Sequence, residues 1–220
     1  MSVITRWWWL RHAPVINHGG RVYGHNDADC DTLDPTPFTV LATVLPSDPV
    51  WVVTPLRRTA QTLAAVLAAR GAESQTAIPL VEPALMEQNF GAWQGLTHDE
   101  IHSQRGGEAH RFWISPARER AQGGESFVDV MARVEQAVTR LSRDHGGRDI
   151  VAVAHGGTIR AALALALDLD PEAALRFSVF NLSLTRIDHI APKDGGPAAW
   201  RVESVNGQAE PDQAARGVRR

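Results

Sequence analysis

The sequence predicts an α/β fold with a mostly parallel central sheet. Three short apolar runs, at 3–10, 49–54 and 148–155, are rich in β-branched or aromatic residues and lack a helical period. Each is therefore predicted to be a buried strand. Stretches with helical spacing follow the second and third runs, and strand–helix units in series are typical of a parallel sheet.

The first predicted strand ends in three consecutive tryptophans, Trp7, Trp8 and Trp9. An aromatic patch for a membrane surface is the alternative interpretation, but it would require an amphipathic helix with a basic face. The segment has neither a helical period nor such a face. Because side chains alternate along a strand, we expect Trp7 and Trp9 on one face of the sheet and Trp8 on the other.

Three helices are predicted from apolar spacing and end signals. One covers 57–71, where Gly71 is a stop signal, and another covers 158–171 and is ended by Asp170-Pro171. The third starts near Ser126, a serine cap, and carries one apolar stripe. Its stripe consists of Phe127, Val130, Val134, Val138 and Leu141.

The remaining segments complete the predicted domain. Two further strands are expected at 182–190 and 198–205. The polar, charged segment at about 96–124 is predicted to be a helical insertion that covers a site. With no internal repeat and no strong linker, the sequence predicts one domain over 1–206, followed by a polar tail at 207–220.

Composition excludes several function classes. A formal net charge of −3 argues against nucleic-acid binding, which usually needs a basic excess. The single cysteine, Cys30, excludes an internal disulfide framework and fits a reducing compartment. No signal sequence and no apolar run of membrane-spanning length is visible, so a cytoplasmic protein without membrane or nucleic-acid partners is expected. The oligomeric state is not predicted.

Charged residues follow the predicted strands where each strand ends. Arg11 and His12 end the first strand, His155 ends the third, and Arg57 and Arg58 follow the second. Ligands of parallel sheets bind beyond the carboxyl ends of the strands. Two histidines and at least one arginine are therefore expected to meet at one edge of the sheet.

This combination suits a phosphate monoester. Arginine supplies planar, permanently charged forks for the dianion, and neighbouring positive charge keeps an imidazole neutral and nucleophilic. Helix N-termini behind Thr54 and Gly157 add backbone N–H groups for an anion. Glu87, in an aromatic and glycine-rich loop, is the best candidate for an acid that protonates the leaving oxygen.

Five segments together resemble a known family. They are LRHA (10–13), TPLRRTAQT (54–62), LMEQNFGAWQG (85–95), GGESFVDVMARV (123–134) and VAVAHGGTIRA (151–161). In this order and spacing they are similar to the successive signatures of the histidine phosphatase superfamily, also called the phosphoglycerate mutase-like family. The resemblance extends from about Arg6 to about Ile187.

The resemblance implies a role for each of five residues. His12 would be the nucleophile that forms a phosphohistidine, Arg11 and Arg58 would bind the phosphate, His155 would stabilise the transferring group, and Glu87 would be the general acid. It also implies a three-layer α/β/α sandwich, a partial lid at 96–124, and neither metal nor other cofactor.

The loop after His12 departs from the family pattern. Ala13, Pro14 and Val15 stand where the family usually has Gly, then Glu or Gln, then Thr or Ser. Proline fixes a backbone angle and removes an N–H, so a stiffer loop with one polar contact fewer is expected. The family's Asn corresponds to Asn17 with a one-residue gap, or to the position of His18 without one.

The loop at 20–31 bears on the substrate. Its Tyr23-Gly24 followed by an Asp resembles α-ribazole phosphatases, and Tyr23, Gly24 and Gly156 are predicted to bind substrate together with Asn17. The expected activity is metal-independent hydrolysis of a small phosphorylated metabolite. Alternatives are phosphoglycerate mutase-type transfer, which the short insertion disfavours, and a phosphate-binding protein whose altered loop has abolished turnover.

A zinc hydrolase built on HDEIH (98–102) is the weakest alternative. His98 and His102 share a helical face, as zinc ligands do. However, Asp99 stands where the metalloprotease pattern needs Glu. Solvated histidines on a lid helix are the preferred interpretation, and Cys30, in an acidic stretch that would raise the pKa of its thiol, is expected to be inert.

Overall fold

The computed structural model of the chain describes residues 2–105, 114–192 and 196–208. Within them a six-stranded sheet has the order β3-β2-β4-β1-β5-β6. The strands are β1 (Ser2–Arg11), β2 (Val50–Val53), β3 (Leu80–Val81), β4 (Asp149–Ala154), β5 (Leu184–Pro192) and β6 (Ala199–Gly207). The first four are mutually parallel, while β5 is antiparallel to β1 and β6 is antiparallel to β5.

Helices cover both faces of this sheet. The helices of the described ranges are α1 (Thr36–Val44), α2 (Arg57–Arg70), α3 (His98–Arg105), α4 (Phe127–Asp144), α5 (Gly156–Leu167) and α6 (Pro171–Ala174), of which α3 packs away from the sheet. Short 3₁₀ turns lie at Ala72–Thr76, Pro83–Leu85 and Gly91–Trp93. One apolar cluster joins the sheet to α4 and α5, and a second joins it to α1 and α2. The predicted three-layer α/β/α arrangement around a mostly parallel sheet is confirmed.

The tryptophan run lies in the central strand as predicted. Trp7 and Trp9 stack on each other in the layer of α4 and α5, with ring centroids 4.9 Å apart. Trp8 packs against the cluster on the opposite face. Burial of aromatic rings on both faces holds β1 rigidly between its neighbours.

Several predicted elements are confirmed, and one boundary is wrong. The helices near 57–71 and Ser126 form, and the hydroxyl of Ser126 accepts from the N–H of Asp129 in a capping box, worth about 1 kcal/mol. The helix predicted to reach Asp170-Pro171 ends earlier, at Leu167, because Asp168 adopts a left-handed conformation with φ 50°. Asp170 then caps the separate short helix α6.

The segment predicted as a helical insertion is helical only in part. It contains α3, whose buried Ile101 packs with Val22, Trp93 and Ala121. Residues 114–124 form turns. Residues 106–113 and most of the predicted tail, 209–220, lie outside the described residues.

The register of the sheet brings the two key histidines together. Arg11 stands opposite Ala154 in the parallel β1–β4 pair, and the N–H of His12 donates to the carbonyl of Ala154 at 3.0 Å. The residues that follow these strand ends, His12 and His155, therefore leave the sheet side by side. No helix in the described ranges has both the length and the apolar composition for a membrane span.

Candidate active site

His12 is buried, and only one of its two ring nitrogens has a hydrogen-bond partner in the described chain. Its Nδ1 lies 2.7 Å from the carbonyl oxygen of Ala13, and a carbonyl only accepts, so Nδ1 carries the proton. Nε2 is buried and has no hydrogen-bond partner among the described residues. The free electron pair of the neutral ring is therefore on Nε2, the atom that can attack phosphorus.

The environment of His12 keeps it neutral. Burial lowers the pKa of His12 to about 3, and the positive charges of Arg58 and Arg11 act in the same direction. A fully buried imidazole beside two guanidinium groups cannot easily accept a proton. The nucleophilic form is thus the resting form at neutral pH.

This lowered pKa makes stability depend on pH. An unfolded chain protonates its histidines as the pH falls below about 6.5, whereas folded His12 stays neutral down to about pH 3. The unfolded state therefore binds the extra proton in this window, and the free energy of unfolding falls as the pH falls. His12→Asn should reduce the stability lost between about pH 7 and pH 4 by on the order of 3 kcal/mol.

Urea unfolding of the two proteins across that range measures this difference. Only the change in pH dependence matters, so any constant effect of the substitution on stability cancels. Parallel pH curves for wild type and His12→Asn would show that His12 is not held neutral by the fold.

His155 is the N-cap of α5 and faces His12, with ring centroids 5.2 Å apart. Its Nε2 lies 3.0 Å from the hydroxyl of Thr54. The neighbouring hydroxyl of Thr59 donates to backbone carbonyls instead, which leaves Thr54 free to donate to Nε2. When Thr54 donates to Nε2, neutral His155 carries its proton on Nδ1, a buried atom without a partner in the described chain.

The charge state of His155 follows the same physics. Burial, followed by His12 and Arg58, holds the pKa of His155 well below its usual value. Neutral His155 can therefore direct its Nδ1–H toward an anion beside His12 without carrying a full positive charge.

Two arginines flank the histidines. Arg58 is fully buried and donates to the carbonyls of Gly24 (2.7 Å) and Asn26 (3.2 Å), with its guanidinium 5.0 Å from the centre of the Tyr23 ring. Arg11 donates to the carbonyl of Val179. The Nε atoms of both arginines are buried without a described partner. Such unpaired charged donors are costly unless a bound anion accepts from them.

The side chain of Glu87, a loop residue, lies beside the first turn of α5. Its carboxylate accepts from the N–H of Gly157 at 3.1 Å and from its neighbour Gln88 at 3.0 Å. A side chain at Gly157 would place its Cβ 2.4 Å from the Glu87 carboxylate, so it would displace the Glu87 side chain from this position. Arg133 fixes the loop by donating to the carbonyls of Met86 and Glu87 at 2.8 and 2.9 Å.

The unusual loop after His12 is tied down by its backbone. Ala13 donates its N–H to the hydroxyl of Thr62 at 2.8 Å, and Pro14 accepts from Asp31 at 2.7 Å. Val15 forms an isolated antiparallel bridge with Cys30. Ala13 is not among the residues with positive φ, so its methyl group adds no backbone strain, and it is buried in the core.

A cavity of about 440 Å³ is lined by Arg11 and Gly156, the sequence neighbours of His12 and His155, whose own side chains are buried and are not among its lining residues. Arg11, Glu87, Tyr23, Gly24 and Gly156 line it, and their roles at the site stay predictions. Gly24 has φ 46°, and a Cβ there would lie 2.5 Å from the Gln94 side chain, so the turn beside Arg58 requires glycine. The wall also contains residues to which the sequence analysis gave no role in the site, among them Arg21, Gln88, Ser115 and Arg160.

Asn17 is not part of the cavity wall. Its side chain is exposed and its backbone is left-handed, with φ 57°. The next residue, His18, lines the cavity and packs edge-on against Tyr23 at 5.8 Å between ring centroids. Asn17 therefore lies outside the cavity wall, and its substrate-binding role stays a prediction.

The remaining residues singled out in the sequence are Arg57, Cys30, His98 and His102. Arg57 pairs with Asp27 and Asp29 at the surface, the acidic partners of an exposed arginine. The pKa of Cys30 is raised, as expected, but burial is the main cause and the acidic neighbours are secondary. In the described ranges no cluster of three potential ligands surrounds His98 and His102.

With this geometry in place, comparison with known proteins identifies the class. The model of the histidine phosphatase superfamily, branch 1, matches residues 7–204. The chain belongs to this superfamily. Relatives that match over most of its length are named glucosyl-3-phosphoglycerate phosphatases, and the chain is a phosphoric monoester hydrolase of the same superfamily.

Two relatives and two solved structures show the range of the similarity. Glucosyl-3-phosphoglycerate phosphatase of Mycobacterium tuberculosis is 35% identical over 217 residues, covering 91% of this chain and 94% of that protein. A native structure of the mycobacterial glucosyl-3-phosphoglycerate phosphatase has a TM-score of 0.77 at 29% identity, over 93% of this chain and 99% of the other.

The other two are more distant. A 2,3-bisphosphoglycerate-dependent phosphoglycerate mutase 2 of Gloeobacter violaceus is 35% identical over 123 residues, 53% of each chain. A putative α-ribazole-5′-P phosphatase of Escherichia coli has a TM-score of 0.71 at 24% identity, covering 92% of this chain and 97% of the other. That likeness shows the fold alone.

Proposed function

We propose that the chain hydrolyses small phosphate monoesters by two in-line transfers, first from substrate to Nε2 of His12 and then from His12 to water. The observation that supports this most is a set of three buried nitrogens without described partners: Nε2 of His12 and the Nε atoms of Arg11 and Arg58. An electron pair on a neutral imidazole beside two unpaired cationic donors fits a nucleophile next to a phosphate site.

In the first transfer, the electron pair of His12 Nε2 forms the N–P bond as the P–O bond to the leaving group breaks. Arg11 and Arg58 neutralise the phosphoryl dianion, and Nδ1–H of His155 donates to one of its oxygens. Protonated Glu87 gives its proton to the departing oxygen.

In the second transfer, Glu87 takes a proton from water as that water attacks the phosphohistidine. The N–P bond breaks and its electron pair returns to Nε2, which releases inorganic phosphate. Glu87 ends protonated, ready for the next substrate. The carboxylate lies at the N-terminus of α5, where backbone N–H groups stabilise its ionised form between the two steps.

The substrate supported best is a phosphorylated sugar acid of the glucosyl-3-phosphoglycerate kind. The mycobacterial phosphatases named for that substrate match this chain over most of its length. α-Ribazole phosphate, suggested by Tyr23-Gly24, is the alternative small metabolite. The single-domain organisation is part of the same proposal. So is the partial lid at 96–124, because His98, Ile114 and Ser115 border the cavity.

A substrate panel tests the proposal. It contains p-nitrophenyl phosphate, glucosyl-3-phosphoglycerate, α-ribazole phosphate and 3-phosphoglycerate, with released phosphate and phosphoglycerate isomers both measured. We expect hydrolysis that survives a chelator, is fastest for glucosyl-3-phosphoglycerate and is lost in His12→Ala.

The other outcomes separate the alternatives. Interconversion of phosphoglycerates faster than phosphate release would establish a mutase, to which one relative is similar. Binding of phosphate without turnover of any ester would establish a binding protein. Loss of activity with a chelator would overturn the metal-independent mechanism.

A further inference from the structure

Arg160 is the charged residue of an otherwise apolar helix. Between Gly156 and Leu167 the sequence of α5 is GGTIRAALALAL, and the other side chains of its buried face pack in the core beneath the sheet. Arg160 lines the cavity instead. A charge in this position needs a partner, because burial of an unpaired guanidinium is costly.

The partners of Arg160 in the protein are incomplete. Its Nε donates to the carbonyl of Phe177 at 2.8 Å. Within the described residues its two terminal nitrogens make no hydrogen bond and no carboxylate lies in salt-bridge range. Burial lowers the pKa of Arg160, while the charge of Glu87 raises it and that of Arg11 lowers it. Two parallel N–H donors are thus left to face the cavity.

A second guanidinium lies beside it. A Cβ placed on Gly156 would be 3.4 Å from Nη1 of Arg160 and 3.8 Å from Cζ of Arg11. Both guanidinium groups therefore lie next to the space that a side chain at Gly156 would fill. The positive charges of Arg11 and Arg160 repel each other unless an anion lies between or beside them.

The number of positive charges at the site indicates how many negative charges the substrate must bring. Two positive charges, on Arg11 and Arg58, match the transferring phosphoryl dianion. Glu87 must be protonated when it acts as the acid, so it offers Arg160 no negative charge in the substrate complex. One positive charge remains, and a single carboxylate balances it through a bidentate contact.

By contrast, Arg21, another arginine of the cavity wall, already has partners. It contacts Glu100 at 3.4 Å and donates to the carbonyl of Gly95 at 2.7 Å, both near the surface. Its charge is therefore used to hold the 20–24 loop against the start of α3, whereas that of Arg160 is not.

We propose that Arg160 is a specificity-determining residue that binds a carboxylate carried by the leaving group, so that the enzyme prefers phosphate monoesters of hydroxy acids over neutral esters. This inference rests on the proposed function, since it assumes that the phosphoryl group sits at His12. It assigns to Arg160 the recognition of the remainder of the substrate.

The test compares two ligands that differ only at one end. 3-Phosphoglycerate carries a carboxylate where glycerol 3-phosphate carries a hydroxymethyl group. Each is used as a competitive inhibitor of p-nitrophenyl phosphate hydrolysis by wild type, Arg160→Gln, Arg160→Lys and the control Arg176→Gln. Arg176 is an exposed arginine close in sequence that does not line the cavity.

Wild type should bind 3-phosphoglycerate more tightly than glycerol 3-phosphate. Arg160→Gln should weaken the inhibition by 3-phosphoglycerate about 10- to 100-fold, the size expected for a charge-assisted bidentate contact. Glycerol 3-phosphate should change by less than about threefold. Arg160→Lys should restore part of the preference, and Arg176→Gln should resemble wild type.

Three results would overturn the proposal. Equal losses for both ligands would place Arg160 at the phosphoryl group, and a changed pH profile with unchanged inhibition would place its action on Glu87. Fructose 1,6-bisphosphate and fructose 6-phosphate are compared as inhibitors in the same way. If Arg160→Gln weakened inhibition by the bisphosphate selectively, but not inhibition by 3-phosphoglycerate, the site would be assigned to a second phosphate.

Failure of the proposed function itself would look different. In that case wild type would not hydrolyse p-nitrophenyl phosphate at all. The same two ligands would then be compared by calorimetric titration of wild type and Arg160→Gln, which measures the carboxylate preference without turnover.

Discussion

Replacing His12 with alanine should lower kcat for every phosphate monoester by on the order of 10⁴- to 10⁶-fold, the loss that follows removal of a catalytic nucleophile. The expected loss is this large because Nε2 of His12 is the one nucleophilic atom in the proposed reaction. The effect should not depend on the leaving group, since both the first and the second transfer pass through His12. Steady-state rates with p-nitrophenyl phosphate and an alkyl phosphate measure it.

A histidine far from the site provides the control. His145 caps the C-terminus of α4, beside a surface cleft that is separate from the cavity at His12. His145→Ala should retain the activity of wild type. If His12→Ala kept a comparable activity while remaining folded, a different residue or a directly activated water would have to be the nucleophile.

Glu87→Gln should lower kcat about 10²- to 10⁴-fold for alkyl phosphates, which is the usual range for a general acid. An alkoxide is a poor leaving group and needs the proton, whereas p-nitrophenolate leaves without one. With p-nitrophenyl phosphate the first transfer should therefore be nearly unaffected, and a burst of p-nitrophenol should precede slow hydrolysis of the phosphohistidine. Rapid-mixing absorbance records the burst.

Two comparisons make this prediction specific. Glu135 is an exposed carboxylate on α4, and Glu135→Gln should behave like wild type with both kinds of ester. An equal reduction for alkyl and p-nitrophenyl esters in Glu87→Gln, without a burst, would show that Glu87 only holds the N-terminus of α5 in place.

Much of the fold could be predicted because the central strands β1, β2 and β4 pack against apolar clusters on both faces of the sheet. Continuous apolar runs at 3–10, 49–54 and 148–155 correspond to β1, β2 and β4, and the parallel order brings their ends to one edge. Helix α1 had no comparable signal. It contains β-branched residues, which lower helix propensity, and it forms because Phe38 and Leu41 are buried in the cluster on this face of the sheet.

The neighbourhood of the site was less predictable, because it depends on how loops turn. Whether Asn17 or His18 faces the cavity is decided by left-handed conformations at Asn17, Gly19 and Gly20, with φ of 57°, 56° and 72°. A loop with several left-handed residues does not point its side chains in a regularly repeating order. Local residue types alone could not show which of the two side chains enters.

Two further features required the three-dimensional structure. The arginine in TIRAAL signals a buried charge in an apolar helix, but only the crossing of α5 over the sheet shows that Arg160 lines the cavity beside Arg11. Ala13-Pro14-Val15 suggested a stiffer loop. The bonds from Ala13 to Thr62 and from Asp31 to Pro14 show how the backbone of that loop is held.

The central claim is that catalysis passes through a phosphoryl group on Nε2 of His12. The most direct measurement is a millisecond quench of wild type and Glu87→Gln with p-nitrophenyl phosphate into alkali, in which phosphohistidine is stable, followed by mass spectrometry and ³¹P NMR. We predict one phosphoryl group on the peptide that contains His12, bonded to Nε2, with more of it in Glu87→Gln than in wild type and none in His12→Ala. An active enzyme that shows no phosphopeptide at any time point, or a phosphoryl group on His155 instead, would contradict the mechanism.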